Sequence, residues 1–67
     1  MPSTAIRAHY YRPERRELEV TFITGRRYLY FDVPPDVVDA FRAASSKGAF
    51  FNTQIRPHYD YRELAPA

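Results

Sequence analysis

The chain contains no cysteine, so no disulfide framework can staple it, and neither a thiolate metal site nor a thiol nucleophile is open to it. Its two glycines are too few for a glycine-rich phosphate cradle, and neither a P-loop nor a dinucleotide fingerprint can be written. The uninterrupted apolar runs are a few residues long, against the roughly 20 needed to span a bilayer. The N-terminal stretch MPSTAIRAHYYRPE lacks the apolar centre of a secretory signal. A soluble, cytoplasmic protein with no membrane partner is expected. His9 and His58 lie far apart in the sequence, with no carboxylate or thiol spacing beside them that suits a metal. No metal and no cofactor are expected.

What is present is aromatic. Six tyrosines and five phenylalanines in 67 residues supply the large apolar areas a small core needs. A chain this short buries only about 60% of its unfolded surface, and it reads as a single small domain over residues 1–67, with its core between about 5 and 64. The net charge of +2 is too small to argue for nucleic acid by itself, but it is unevenly spread. Residues 1–31 carry six arginines against three glutamates, whereas residues 32–67 carry four basic against five acidic residues. Nine of the ten basic residues are arginine, which suits bidentate phosphate contacts and stacking, although genome composition produces the same bias.

Strand-like alternation runs from Ala5 to Val33. The first strand, Ile6 to Tyr11, sets Ile6, Ala8 and Tyr10 against Arg7, His9 and Tyr11. Pro13 in Arg12-Pro13-Glu14-Arg15 suits a type I turn. The second strand, Glu17 to Phe22, puts Leu18, Val20 and Phe22 on one face. A third, Arg26 to Val33, follows Ile23-Thr24-Gly25. The loop between the last two sets the face of every ring in Arg27-Tyr28-Leu29-Tyr30-Phe31, because a one-residue slip inverts them all. A two-residue loop leaves both tyrosines outside. A three-residue loop with Gly25 in the left-handed region pairs Phe22 with Arg26, Val20 with Tyr28 and Leu18 with Tyr30. The second is favoured, since the first asks a β-branched threonine for positive φ.

Pro35 fits the first position of a helix and Asp36 complements its dipole, with Val37, Val38, Phe41 and Ala44 on one stripe. Ser46 reads as the cap of a second short helix that ends at Pro57 and buries Phe51 and Ile55, with Phe50 a possible third. The tail from His58 to Leu64 alternates again. The expected fold is α+β: a three-stranded antiparallel meander, two short helices packed on one face, and an extended tail or short edge strand.

The run Leu18-x-Val20-x-Phe22-x-x-Gly25-x-x-Tyr28-x-Tyr30-x-x-Val33-Pro34, followed by Ser46-Lys47-Gly48-x-Phe50-Phe51-Asn52-x-x-Ile55-Arg56-x-x-Tyr59-x-Tyr61, resembles the KTSC family of short domains. The resemblance runs from about Ile6 to Leu64. It implies a single-domain bacterial member of a family that also occurs at the C-terminus of some lysyl-tRNA synthetases, and by that company it implies RNA binding. A departure falls at Ala8-His9-Tyr10, where members of the family commonly carry glycine ahead of the aromatic, so the resemblance defines the geometry of the first strand least.

Catalysis finds no foothold in the pattern. Ser46, His58 and Asp60 match a triad in composition alone, and a cap explains the serine. The site residues expected to meet nucleic acid or another anion are Arg7, Arg15, Arg26, Arg27, Ser46, Lys47, Gly48, Asn52 and Arg56. Of these, Ser46-Lys47-Gly48 is either a tight junction between helices or a phosphate contact at a helix start, and Asn52 either ties the helix to a loop or bonds a ligand. The outward sheet face, expected to hold Arg7, His9, Tyr11, Arg27, Leu29 and Phe31 beside Glu17 and Glu19, offers His9, Tyr11, Leu29 and Phe31 as an interaction face. That face is either a platform for unpaired bases or an apolar patch covered by the second helix, the tail or a second copy. RNA is the expected partner of a non-catalytic module, with another protein or a second copy of the chain as the alternative.

Overall fold

The computed structural model describes residues 5–65. Four antiparallel strands, β1 (Ile6–Arg12), β2 (Glu17–Phe22), β3 (Arg27–Tyr30) and β4 (Tyr61–Leu64), form one sheet in the order β1-β2-β3-β4. Between β3 and β4 the chain makes α1 (Pro35–Ala43) and α2 (Lys47–Phe50), and α2 continues into a π-helical turn, Phe51–Ile55. The α+β arrangement is as expected, and the alternating tail becomes an edge strand, which makes the sheet four-stranded.

The β2–β3 turn takes the three-residue form. Gly25 sits at φ 92°, its N–H donates to the Phe22 carbonyl at 2.9 Å, and the Phe22 N–H donates to the Arg26 carbonyl at 2.9 Å. Val20 therefore pairs with Tyr28 and Leu18 with Tyr30. Both tyrosines turn to the helix side: Tyr30 is 2% exposed, and Tyr28 packs against the core from its margin. Burying each large apolar side chain on this face contributes about 1.5–3 kcal/mol. The core joins Leu18, Val20 and Tyr30 of the sheet to Val38 and Phe41 of α1 and to Phe51 and Ile55 of the π-helical turn. Phe50 packs against it half-buried.

The first strand departs from simple alternation. β1 uses one residue more than β2 between the pairs Ile6↔Phe22 and Ala8↔Thr21, a β-bulge that inverts the faces beyond it. His9 then pairs with Val20 and Tyr11 with Leu18, so both face the helices, while Tyr10 lies outside and exposed. The expectation that His9 and Tyr11 share the outward face is thus corrected, and so is the inward placing of Ala8 and Tyr10. The bulge lies at Arg7, immediately before the Ala8-His9-Tyr10 stretch where the resemblance departs from its family pattern.

β3 stops at Tyr30, short of the expected Val33, because Asp32 turns the chain through φ 58°, a conformation that short polar side chains tolerate. Val33 is then clamped on both sides. Its N–H donates to the carbonyl of Arg16 at 2.9 Å, and its carbonyl accepts the Tyr11 hydroxyl at 2.7 Å. The clamp fixes the start of α1 against the β1–β2 hairpin. Pro35 occupies the first turn of α1 with Asp36 beside it. The Ser46 hydroxyl caps α2 by accepting the Ala49 N–H at 3.2 Å. Further on, the Thr53 hydroxyl donates to the Ala49 carbonyl at 2.9 Å, filling an acceptor that an α-helical N–H takes in a regular turn.

Candidate nucleic-acid interface

The outward sheet face is largely neutralised. Glu19 accepts from Arg27 Nε at 3.1 Å and Nη2 at 2.9 Å, and Arg12 stands 3.9 Å from the same carboxylate. The Arg12 guanidinium also lies over the Tyr10 ring, 5.0 Å from its centroid. Leu29, between its cross-strand neighbours Glu19 and Arg62, is only 8% exposed, and Phe31 is half-buried. The four residues expected to form an interaction face thus divide. His9 and Tyr11 belong to the helix side, and Leu29 is covered within one chain beside the tail strand.

The helix side is organised differently, because the helices do not cover it evenly. α2 begins near β1, where the charge of Lys47 acts on His9, and its π-helical continuation reaches β2 and β3, where Phe51 meets Phe22 and Tyr30 edge-on at 5.4 and 5.2 Å. Toward β4 the rings emerge into solvent. Tyr61, paired with Tyr30, stacks on it at 5.2 Å and meets Tyr28 edge-on at 5.6 Å. Tyr30 is buried, Tyr28 half-buried and Tyr61 55% exposed, so the three form a ledge descending from the core.

Two arginines bracket this ledge. Arg26 lines the cleft beside Tyr28, which together with Glu63 favours its charged form, and its Nε stands 3.8 Å from Glu63 with both side chains well exposed, an ion pair that solvent screens. Arg56 donates from Nη1 to Asn52 Oδ1 at 3.0 Å, with its guanidinium 5.9 Å from the centroid of the Phe51 ring. Burial pushes the Tyr30 phenol up, and Arg56 pulls against it. The π-helical turn keeps Asn52 and Arg56 near one another, while the bulged β2–β3 turn delivers Arg26. Arg26 and Arg56 line a common cleft of about 250 Å³ with Phe22, Ile23 and Tyr28, and no carboxylate is among its lining residues.

Of the expected contact residues, the structure brings together Arg26, Arg56 and Asn52. Arg27 is on the opposite face, tied to Glu19. Arg15 lies exposed in the β1–β2 turn and Arg7 exposed at the bulge. Ser46, Lys47 and Gly48 sit at the far end of α2, on the β1 side. A larger groove of about 470 Å³ between α1 and the second helix has Asp36 as its one permanent charge, which disfavours phosphate. Sequence reasoning did not select Tyr28, Tyr61 and Ile23. The signal for Tyr61 was available in the alternating tail, had it been paired to β3.

The KTSC domain model matches residues 2–59, and the chain belongs to the KTSC domain family. It is 44% identical over 62 residues to an uncharacterised protein of Stutzerimonas stutzeri, covering 91% of this chain and 87% of that one. It also matches a segment of a lysine–tRNA ligase of a Nostoc species, 35% identical over 60 residues, which is 90% of this chain but 11% of the ligase. Among solved structures, the crystal structure of a KTSC domain protein from Yersinia pestis superposes with a TM-score of 0.88 at 32% identity, covering 97% of this chain and 92% of the other.

Proposed function

We propose that this KTSC domain is a non-catalytic RNA-binding module whose contact surface is the tyrosine ledge between Arg26 and Arg56. The observation that carries the reading is an exposed ring, Tyr61, stacked on Tyr30 at the end of a ledge whose neighbouring cleft is lined by the guanidinium groups of Arg26 and Arg56 and by no carboxylate. Aromatic faces and arginines on an open sheet edge match what single-stranded RNA offers: unstacked bases and a regular run of phosphates. The similarity to a segment of a ligase named for tRNA agrees with this reading. Ser46, the nearest approach to a nucleophile in the sequence, is spent as a helix cap.

Two phosphate contacts on a single strand predict a salt slope of about −1.4, so affinity falls about sevenfold between 50 and 200 mM salt. Fluorescence anisotropy with a labelled single-stranded RNA measures this directly. Substituting Arg26 and Arg56 together by alanine flattens the slope, whereas Arg15→Ala leaves it unchanged. Absence of binding at 50 mM salt refutes the proposal.

A further inference from the structure

We infer that the cleft walled by Phe22, Ile23 and Tyr28 receives one unpaired base, with Arg26 and Arg56 holding the phosphates on either side. The inference rests on the RNA-binding reading and adds to it the part of the ligand recognised. The cavity measures about 250 Å³, under the roughly 300–1,000 Å³ of sites that enclose drug-sized ligands. A flat base fits such a volume, and its sugar and phosphate stay outside.

The walls are apolar and angled. The Phe22 and Tyr28 rings meet at 66° with centroids 5.4 Å apart, and Ile23, 66% exposed, stands at the mouth. An isoleucine left 66% exposed in a turn keeps most of its apolar surface in water, and a base lying against it removes that surface. Both lining charges are cationic, which places the anionic part of the ligand at the rim and its neutral part between the rings. A base inside a duplex is stacked on both faces and cannot enter, so the recognised form is a single strand, a loop or an end.

The test compares three fluorescein-labelled probes at low salt, using the full chain: a ten-nucleotide single-stranded RNA, an abasic strand of equal length and charge, and the corresponding duplex. The wild type is expected to prefer the base-bearing strand over the abasic one by about 5- to 150-fold, the range that stacking one base corresponds to, and to bind the duplex less well than the single strand. Ile23→Ala, a change at an exposed position, reduces that preference and leaves the salt slope in place. Equal binding of all three probes with a normal salt slope overturns the cleft inference while the RNA-binding reading stands. A base preference that survives Ile23→Ala but disappears in Tyr61→Ala moves the contact to the outer ring and likewise overturns it. Binding of none of the probes refutes the RNA-binding reading, and the inference falls with it.

Discussion

Replacing Gly25 by alanine tests the turn on which both sheet faces depend. Gly25 has φ 92°, and a Cβ built there meets nothing within 4 Å, so the substitution removes no contact and creates no clash with a neighbour. The cost is confined to the backbone. An L-residue held in left-handed geometry loses roughly 1–2 kcal/mol, and a φ beyond the usual left-handed centre near about 57° favours the upper part of that range. For a domain of this size each kcal/mol lowers Tm by about 4–8 °C, so Gly25→Ala is expected to lower it by about 4–16 °C. Chemical synthesis allows a sharper comparison, since D-alanine carries the same methyl group but prefers positive φ. The D-variant is expected to match the wild type or exceed it by about 0.4–1 kcal/mol, because it also restricts the unfolded chain. Thermal and urea unfolding followed by circular dichroism report both values. Equal destabilisation by the two enantiomers, or a loss under about 0.5 kcal/mol for the L-form, refutes the argument that backbone handedness at this position sets the register.

Two further outcomes follow from the buried side of the sheet. Tyr11→Phe removes the 2.7 Å hydrogen bond to the Val33 carbonyl while keeping the ring, and is expected to cost about 1–3 kcal/mol; an unchanged urea midpoint means the clamp on α1 contributes nothing. His9 packs edge-on against Phe41 at 5.1 Å, and burial, followed by the charges of Arg42 and Lys47, holds its imidazole below the ordinary value of 6.5. The folded chain then binds fewer protons than the unfolded chain, so stability is full above that value and declines as pH falls from it toward the depressed folded value. Unfolding curves at pH 7.5 and 5 compare the two conditions, and His9→Gln is expected to flatten the difference; a wild type more stable at the lower pH, with the flattening absent, contradicts the assignment.

Much of the fold is legible in short stretches of sequence. Glycine at 25 decides a three-residue loop, Pro35 and Ser46 mark helix starts, and the spacing of Val38, Phe41, Phe51 and Ile55 marks the buried stripes, because each signal acts over one turn or one strand. The candidate site was legible only in part. Arg26, Arg56 and Asn52 were chosen for their chemistry, but so were Arg7, Arg15, Arg27 and the Ser46-Lys47-Gly48 turn, which the fold sends elsewhere.

Composition and local pattern by themselves determined an aromatic α+β chain, the register of β2 on β3 and the inward turn of Tyr28 and Tyr30. Tertiary structure alone decided that a bulge in β1 carries His9 and Tyr11 to the helix side, that Arg27 is neutralised by Glu19, and that β4 brings Tyr61 beside residues some thirty positions earlier. The physical reason is distance along the chain. Turn chemistry and side-chain period are settled among neighbours, whereas a bulge and an edge pairing are chosen by whichever remote partner best completes the backbone hydrogen bonds and buries the most apolar surface.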